Sequence, residues 1–237
     1  MNTNQEVITW EEELAKDAVE HAANARTPNP GAFISTLGGR FSYDGHSLPD
    51  TIEVVVVGSV RENNWYSKPF DSENPSGPAC FAFAVPGTPM RPHETIKDPQ
   101  APVCGECPKN VFGSAIGGRG KACKNIVKLS VVMADDLASD GPPQSALLRI
   151  PVTSARNWEE YVRELATGSS RPPYAVVTKI TIKPNAKSQF AITFKLGGLL
   201  TDQALTRSLK EMGPEALATL TEPYAALAAD AAPSSKF

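Results

Sequence analysis

The chain has 237 residues, 41% of them hydrophobic and 21% charged, with a formal net charge of −3. That length can bury a sizeable core in one large domain, and the mild acidity excludes a surface coated uniformly in positive charge. No apolar run approaches the roughly eighteen residues of a membrane span, and the polar start with Glu11, Glu12, Glu13, Lys16 and Asp17 behind it does not read as a signal peptide. A cytoplasmic protein with no membrane association is the expectation.

Residues 10–26 read as a short helix with Trp10, Leu14 and Ala18 on one face, closed by Asn29-Pro30-Gly31. A β-rich stretch follows. Phe33 to Tyr43 is interrupted by Gly38-Gly39, and Ile52 to Val57 is the strongest strand signal, β-branched and too short for a helix. A Pro/Gly/Ser-rich turn region from Pro69 to Pro78 precedes a strand over Cys80–Val85. From 86 to 125 proline, glycine and small residues dominate and periodicity vanishes, so an excursion of this length needs something to hold it. Ile126–Met133 and Ala146–Pro151 then read as strands. Thr153 or Ser154 is placed to cap a helix that runs to about Ala166 and buries Trp158, Tyr161 and Leu165. Two strands, Tyr174–Ile182 and Phe190–Leu196, flank a turn at Lys183-Pro184-Asn185. The stretch from Thr201 to about Ala229 reads as helix broken near Gly213-Pro214. This divides the chain into an N-terminal helix (1–30), a β-rich core (31–200) carrying the 86–125 loop, and a helical extension (201–237).

Cys104-Gly105-Glu106-Cys107 offers two thiolates three residues apart across a glycine turn. Cys123 lies 16 residues downstream of it and Cys80 lies 24 upstream. In a reducing compartment disulfides rarely persist, and four thiolates match a tetrahedral structural Zn2+ with no thiol left over. His93 could replace Cys80 as the fourth ligand. Burial as a small hydrophobe suits Cys80 in its strand but not Cys104 and Cys107 in a proline-rich loop. A redox pair would be expected at a helix start, which Pro108 and the glycines beyond it do not provide. The nucleobase-deaminase pattern misses by one position in both halves, since Glu94 follows His93 directly and Val103 separates Pro102 from Cys104. Four thiolates would also leave no open position for a catalytic water.

Lys109, Arg119, Lys121, Lys124 and Lys128 are five bases with no acid between Lys109 and Ser130, on a glycine-rich loop in an acidic chain. Glycines let backbone approach a phosphate and the cations attract it. A solvated surface loop would carry the same charges. Gly120-Lys121 is not a P-loop, because Ala122 stands where Ser or Thr belongs and Ala115 where the first glycine belongs. Phe112 and Tyr66, near glycine-rich or polar loops, are the candidates for stacking on bases.

The run Cys107-Pro108-Lys109-Asn110, Phe112-Gly113-Ser114, then Gly120-Lys121-Ala122-Cys123-Lys124-Asn125 leading into a strand resembles bacteriophage zinc-containing single-stranded DNA-binding proteins. Leu148-Arg149-Ile150-Pro151 with Ser154, Trp158 and Tyr161, and then Val177–Ile180, extend the likeness over about residues 33–200. The resemblance implies an α+β fold: a β-rich, OB-like barrel with an inserted zinc-stapled loop and flanking helices. It implies binding of single-stranded DNA along its phosphates with little sequence preference, in phage replication or recombination and beside proteins of those processes, in the host cytoplasm if phage-encoded. The tail after Ala229 holds one acid and one base, so recruitment through an acidic tail is not expected. No nucleophile–base set or carboxylate pair stands out, so no enzyme is expected. The alternative is a structural or assembly protein whose zinc loop is architectural and meets a protein partner. The sequence leaves the oligomeric state open.

Overall fold

The computed structural model describes residues 32–68, 76–138, 141 and 143–224. The expected helix over 10–26, most of the turn region after Pro69 and the tail beyond Tyr224 lie outside the described residues. Contacts divide the chain between Pro30 and Gly31, and every described residue belongs to the Gly31–Phe237 unit.

The described strands are β1 (Ala32–Ser35), β2 (Ser42–Tyr43), β3 (His46–Ser47), β4 (Thr51–Trp65), β5 (Cys80–Phe83), β6 (Lys124–Met133), β7 (Ser145–Ile150), β8 (Val176–Asn185) and β9 (Gln189–Leu199). They form one sheet in the order β3-β2-β1-β7-β6-β4-β8-β9, with β5 added to β4. All pairings are antiparallel except β1 with β7. The sheet curls into half a barrel, an α+β arrangement of the kind expected. Three α-helices among the described residues complete it: α1 (Val152–Glu164), α2 (Gln203–Glu211) and α3 (Gly213–Leu220). Among the described residues no helix is long and apolar enough to cross a membrane.

Strand β4 is the spine, and it runs far past the expected Ile52–Val57. Its apolar half forms from β-branched residues that suit a pleated, buried surface. A register shift between Val56 and Gly58 then leaves Val57 out of the ladder to β6. Such a bulge exchanges faces, because side chains alternate along a strand. Ile52, Val54 and Val56 lie in the larger core with Val127, Leu129, Leu148, Ile180 and Phe194. Beyond the bulge, Arg61 pairs with Val127 and shares its face, while Val60 pairs with Lys128 on the other.

Each face of the sheet is covered by helix. On the larger core α1 lays Trp158, Tyr161 and the following Leu165 against Phe194 and Thr178, with Tyr161 Oη and Thr178 Oγ1 sharing a hydrogen bond of 2.7 Å. The cap expected from Thr153 or Ser154 is not made. Pro151 occupies the cap position, and buried Ser154 instead accepts the Ile192 N–H at 2.9 Å, docking α1 onto β9. On the other face Leu209 and Ala216 from α2 and α3 pack with Val55, Val57 and Val132, so the helices of the 201–237 segment share a core with the sheet. Asp202 caps α2 by accepting the N–H groups of Ala204 and Leu205. Between β8 and β9 the turn falls later than expected: β8 continues through Pro184, and the Asn185 side chain accepts from the N–H groups of Lys187 and Ser188.

Candidate metal centre and basic loop

The long irregular segment is ordered by backbone bonding rather than by helix or strand. Its first part is laid along β5, with the His93 N–H donating to Phe81 O and the Cys104 N–H to Met90 O. The knuckle then turns through Glu106 N–H to Val103 O and Cys107 N–H to Cys104 O, and Pro108–Asn110 forms a single 3-10 turn. The Asn110 side chain closes it by donating to Cys104 O at 2.8 Å.

This folding brings together all four cysteines named from the sequence. Cys80, on β5 opposite Trp65, lines one small cavity of about 20 Å³ with Cys104, Cys107 and Cys123. All four are free thiols, three buried and Cys80 half-buried. Burial raises Cys80, Cys104 and Cys123 above the ordinary thiol range, Cys123 to about 12, and the neighbouring cysteines add to each rise. Removing protons here would gather negative charge in a small, poorly hydrated space, which only a cation would relieve. Among the described residues no group of three or more His, Cys, Asp or Glu side chains is arranged to hold a metal ion. His93 lies elsewhere. Its ring stacks on Phe81 at 4.9 Å and its Nδ1 shares a hydrogen bond with Thr95, and it does not line the cysteine cavity.

The glycine-rich loop leaves this cavity at Lys109 and returns at Cys123, whose N–H donates to Lys109 O at 2.8 Å. Ser114 knits its interior, donating to the carbonyls of Lys109 and Val111 and accepting from the Ala122 N–H. Gly113 N–H donates to Gly120 O, and both residues have positive φ, a conformation that a side chain would strain. The loop is therefore a fixed platform with its ends tied together.

The expected basic residues divide into three groups on this platform. Arg119 and Lys124 are exposed. Lys109 lies over the Trp65 ring at 5.0 Å, and Lys121 donates to the side chains of Asn110 and Asn125, each at 3.1 Å. Lys128 departs from the expectation of a phosphate contact: it is buried on β6 and paired with buried Glu62, with the Phe83 and Tyr224 rings beside its ammonium. Of the two stacking candidates, Phe112 is 78% exposed on the loop and Tyr66 is 40% exposed just past β4, where it feels the charges of Arg149 and Glu62.

The amide residues were not foreseen. Asn63, Asn110 and Asn125 link β4, the knuckle and β6 through side-chain bonds, with Asn125 donating to Asn63 Oδ1. Their signal in the sequence was only that each stands next to, or two or three residues from, a basic residue or cysteine. No protein-family model, curated protein or solved structure matches the chain.

Proposed function

We propose that the protein binds single-stranded DNA through its phosphates, with the four cysteines holding one Zn2+ that fixes the basic loop. The observation that carries this reading is the rigid, exposed loop itself. It offers Arg119, Lys124 and Phe112 to solvent, and both its ends return to a cavity lined by four thiols. Cations supply salt-sensitive attraction to phosphate, and an exposed ring supplies a sequence-tolerant stacking surface. Cys80, Cys104, Cys107 and Cys123 are the zinc ligands in this reading, and the metal is architectural because four thiolates fill a tetrahedron. The curved sheet is read as an OB-like scaffold, and the setting as phage replication or recombination.

Fluorescence-anisotropy titration of a labelled thirty-base oligonucleotide tests it. Single-strand binding that weakens steeply with salt and is weaker in Arg119→Ala/Lys124→Ala supports the reading. Equal indifference to single and double strands at low salt overturns it.

One observation favours a second reading. Val111, Phe112 and Ile116 are all exposed on the loop, Ile116 at 99%, and such apolar tips also suit a protein partner. In that case the loop would serve assembly, and binding of its partner would persist at high salt.

A further inference from the structure

The ladder along one side of β4 is interrupted. Strand β8 pairs with it only as far as Val54, and β5 begins only at Glu62. The gap opens a groove of about 1080 Å³, above the usual range for a small-molecule pocket and open along its length. Its walls are largely apolar, with Val85 and Pro86 at the surface and half-buried Phe83, His93 and Pro173 beside them. Three exposed arginines line it: Arg61 from β4, Arg91 from the segment before the knuckle and Arg163 from α1. Among the described lining residues the one acid is Glu159, which is already paired with Arg61 at 3.3 Å.

The groove does not end at Arg61. A second hollow of about 380 Å³ shares Arg61 and Ala84 with it and runs on to Gly105, Asn110 and Lys121 beside the cysteine knuckle. A line of cations thus passes from α1 across the open edge of β4 to the base of the glycine-rich loop.

We infer that this groove is the track of the bound single strand, with phosphates on Arg61, Arg91, Arg163 and Lys121 and bases against the walls around Phe83. The inference rests on the proposed single-strand binding and deepens it by carrying the strand on from the loop into the groove. Apolar walls receive base faces only when the bases are unpaired, so a single strand fits and a duplex does not. An acidic peptide would match the arginines but would leave the apolar walls without comparable partners.

The test is photo-cross-linking of a bromouracil-substituted thirty-base single strand to the full chain, mapped by mass spectrometry, beside titrations of Arg61→Ala/Arg91→Ala/Arg163→Ala. Cross-links within residues 83–93, with a salt slope lower by about 2 in the triple variant, are expected at about 0.7 per lost phosphate contact. Cross-links confined to residues 109–124 and an unchanged slope would overturn the track while leaving single-strand binding intact. Absence of any binding by the unaltered protein overturns both. An acidic peptide that competes with the oligonucleotide, and itself fails to bind the triple variant while the oligonucleotide still binds it, would assign the groove to a protein segment instead.

Discussion

The Lys128 ammonium lies 3.1 Å from Glu62 Oε2, between neighbouring strands, with the two side chains 5% and 0% exposed. The other carboxylate oxygen accepts from Asn64 Nδ2 at 2.9 Å and from the Tyr224 hydroxyl, while Oε2 has no aligned hydrogen-bond donor and is held by the ammonium's charge. Lys128 also lies 4.7 Å from the Phe83 ring centre. Desolvation lowers its pKa, with Glu62 opposing that shift, and desolvation also raises that of Tyr224. Two buried charges cost a great deal to dehydrate and are tolerable only as a pair.

Replacing one partner is therefore predicted to be far worse than replacing both. Lys128→Met should destabilise the fold by about 3–5 kcal/mol, because Glu62 is left buried and uncompensated. Lys128→Met with Glu62→Leu should recover most of that loss. Urea midpoints of the three proteins check this, and equal destabilisation of single and double variants would refute it.

Metal content gives a separate prediction. Protein purified without chelator should carry about one equivalent of zinc, falling below about half in Cys104→Ser/Cys107→Ser, since the remaining two thiols cannot complete a tetrahedron. Elemental analysis reads this directly. Chelation should also raise hydrogen exchange at Gly113, Ala122 and Cys123, whose N–H groups close the loop.

The loop's share of DNA binding can be measured as a slope. Arg119→Ala/Lys124→Ala should reduce the slope of log affinity against log salt by about 1.4, two contacts at about 0.7 each. Phe112→Ala should cost about 1–3 kcal/mol with little change in slope, as expected for lost stacking. A Phe112 variant with unaltered affinity would remove that ring from the interface.

Gly58 is predicted to tolerate no side chain. A Cβ there would stand 3.0 Å from Ala216 Cβ and 3.3 Å from Leu220 Cδ1, so Gly58→Val pushes α3 off the sheet. Overpacking of this kind costs about 1–3 kcal/mol. Thermal melting should show the loss, and Gly141→Val, where a Cβ meets none of the described residues within 4 Å, should melt as the unaltered protein does.

The strands were legible where apolar residues alternate or run together, as in Ile52–Val57, Ile126–Met133 and Ala146–Ile150. The polar half of β4 was not. Glu62 and Asn63 carry no strand pattern of their own, because Lys128 and Tyr224, which hold Glu62, and Asn125, which holds Asn63, lie more than sixty residues away in the chain, and only the folded sheet supplies them. The same cause misplaced Lys128: a lysine beside other bases looks solvated unless a buried carboxylate is known to oppose it. Their scarcity and spacing made the cysteines legible as one group, with His93 the alternative to Cys80, and the fold brings the four cysteines to one cavity. The arginines of the β4 groove were not, since Arg61, Arg91 and Arg163 come from a strand, a loop and a helix with no common motif.

Strand β4 also shapes how the chain can be made. Thr51 must wait for Thr181, 130 residues later, before that end of the strand has its β8 neighbour. At translation rates of about 5–20 residues per second, the wait is roughly 6–26 s. Over that interval a valine-rich segment has no β8 to cover its edge, and such a segment is prone to pair with copies of itself. Glu53, set among those apolar residues and later joined to Lys179, places a charge on the waiting edge that discourages self-pairing until β8 arrives.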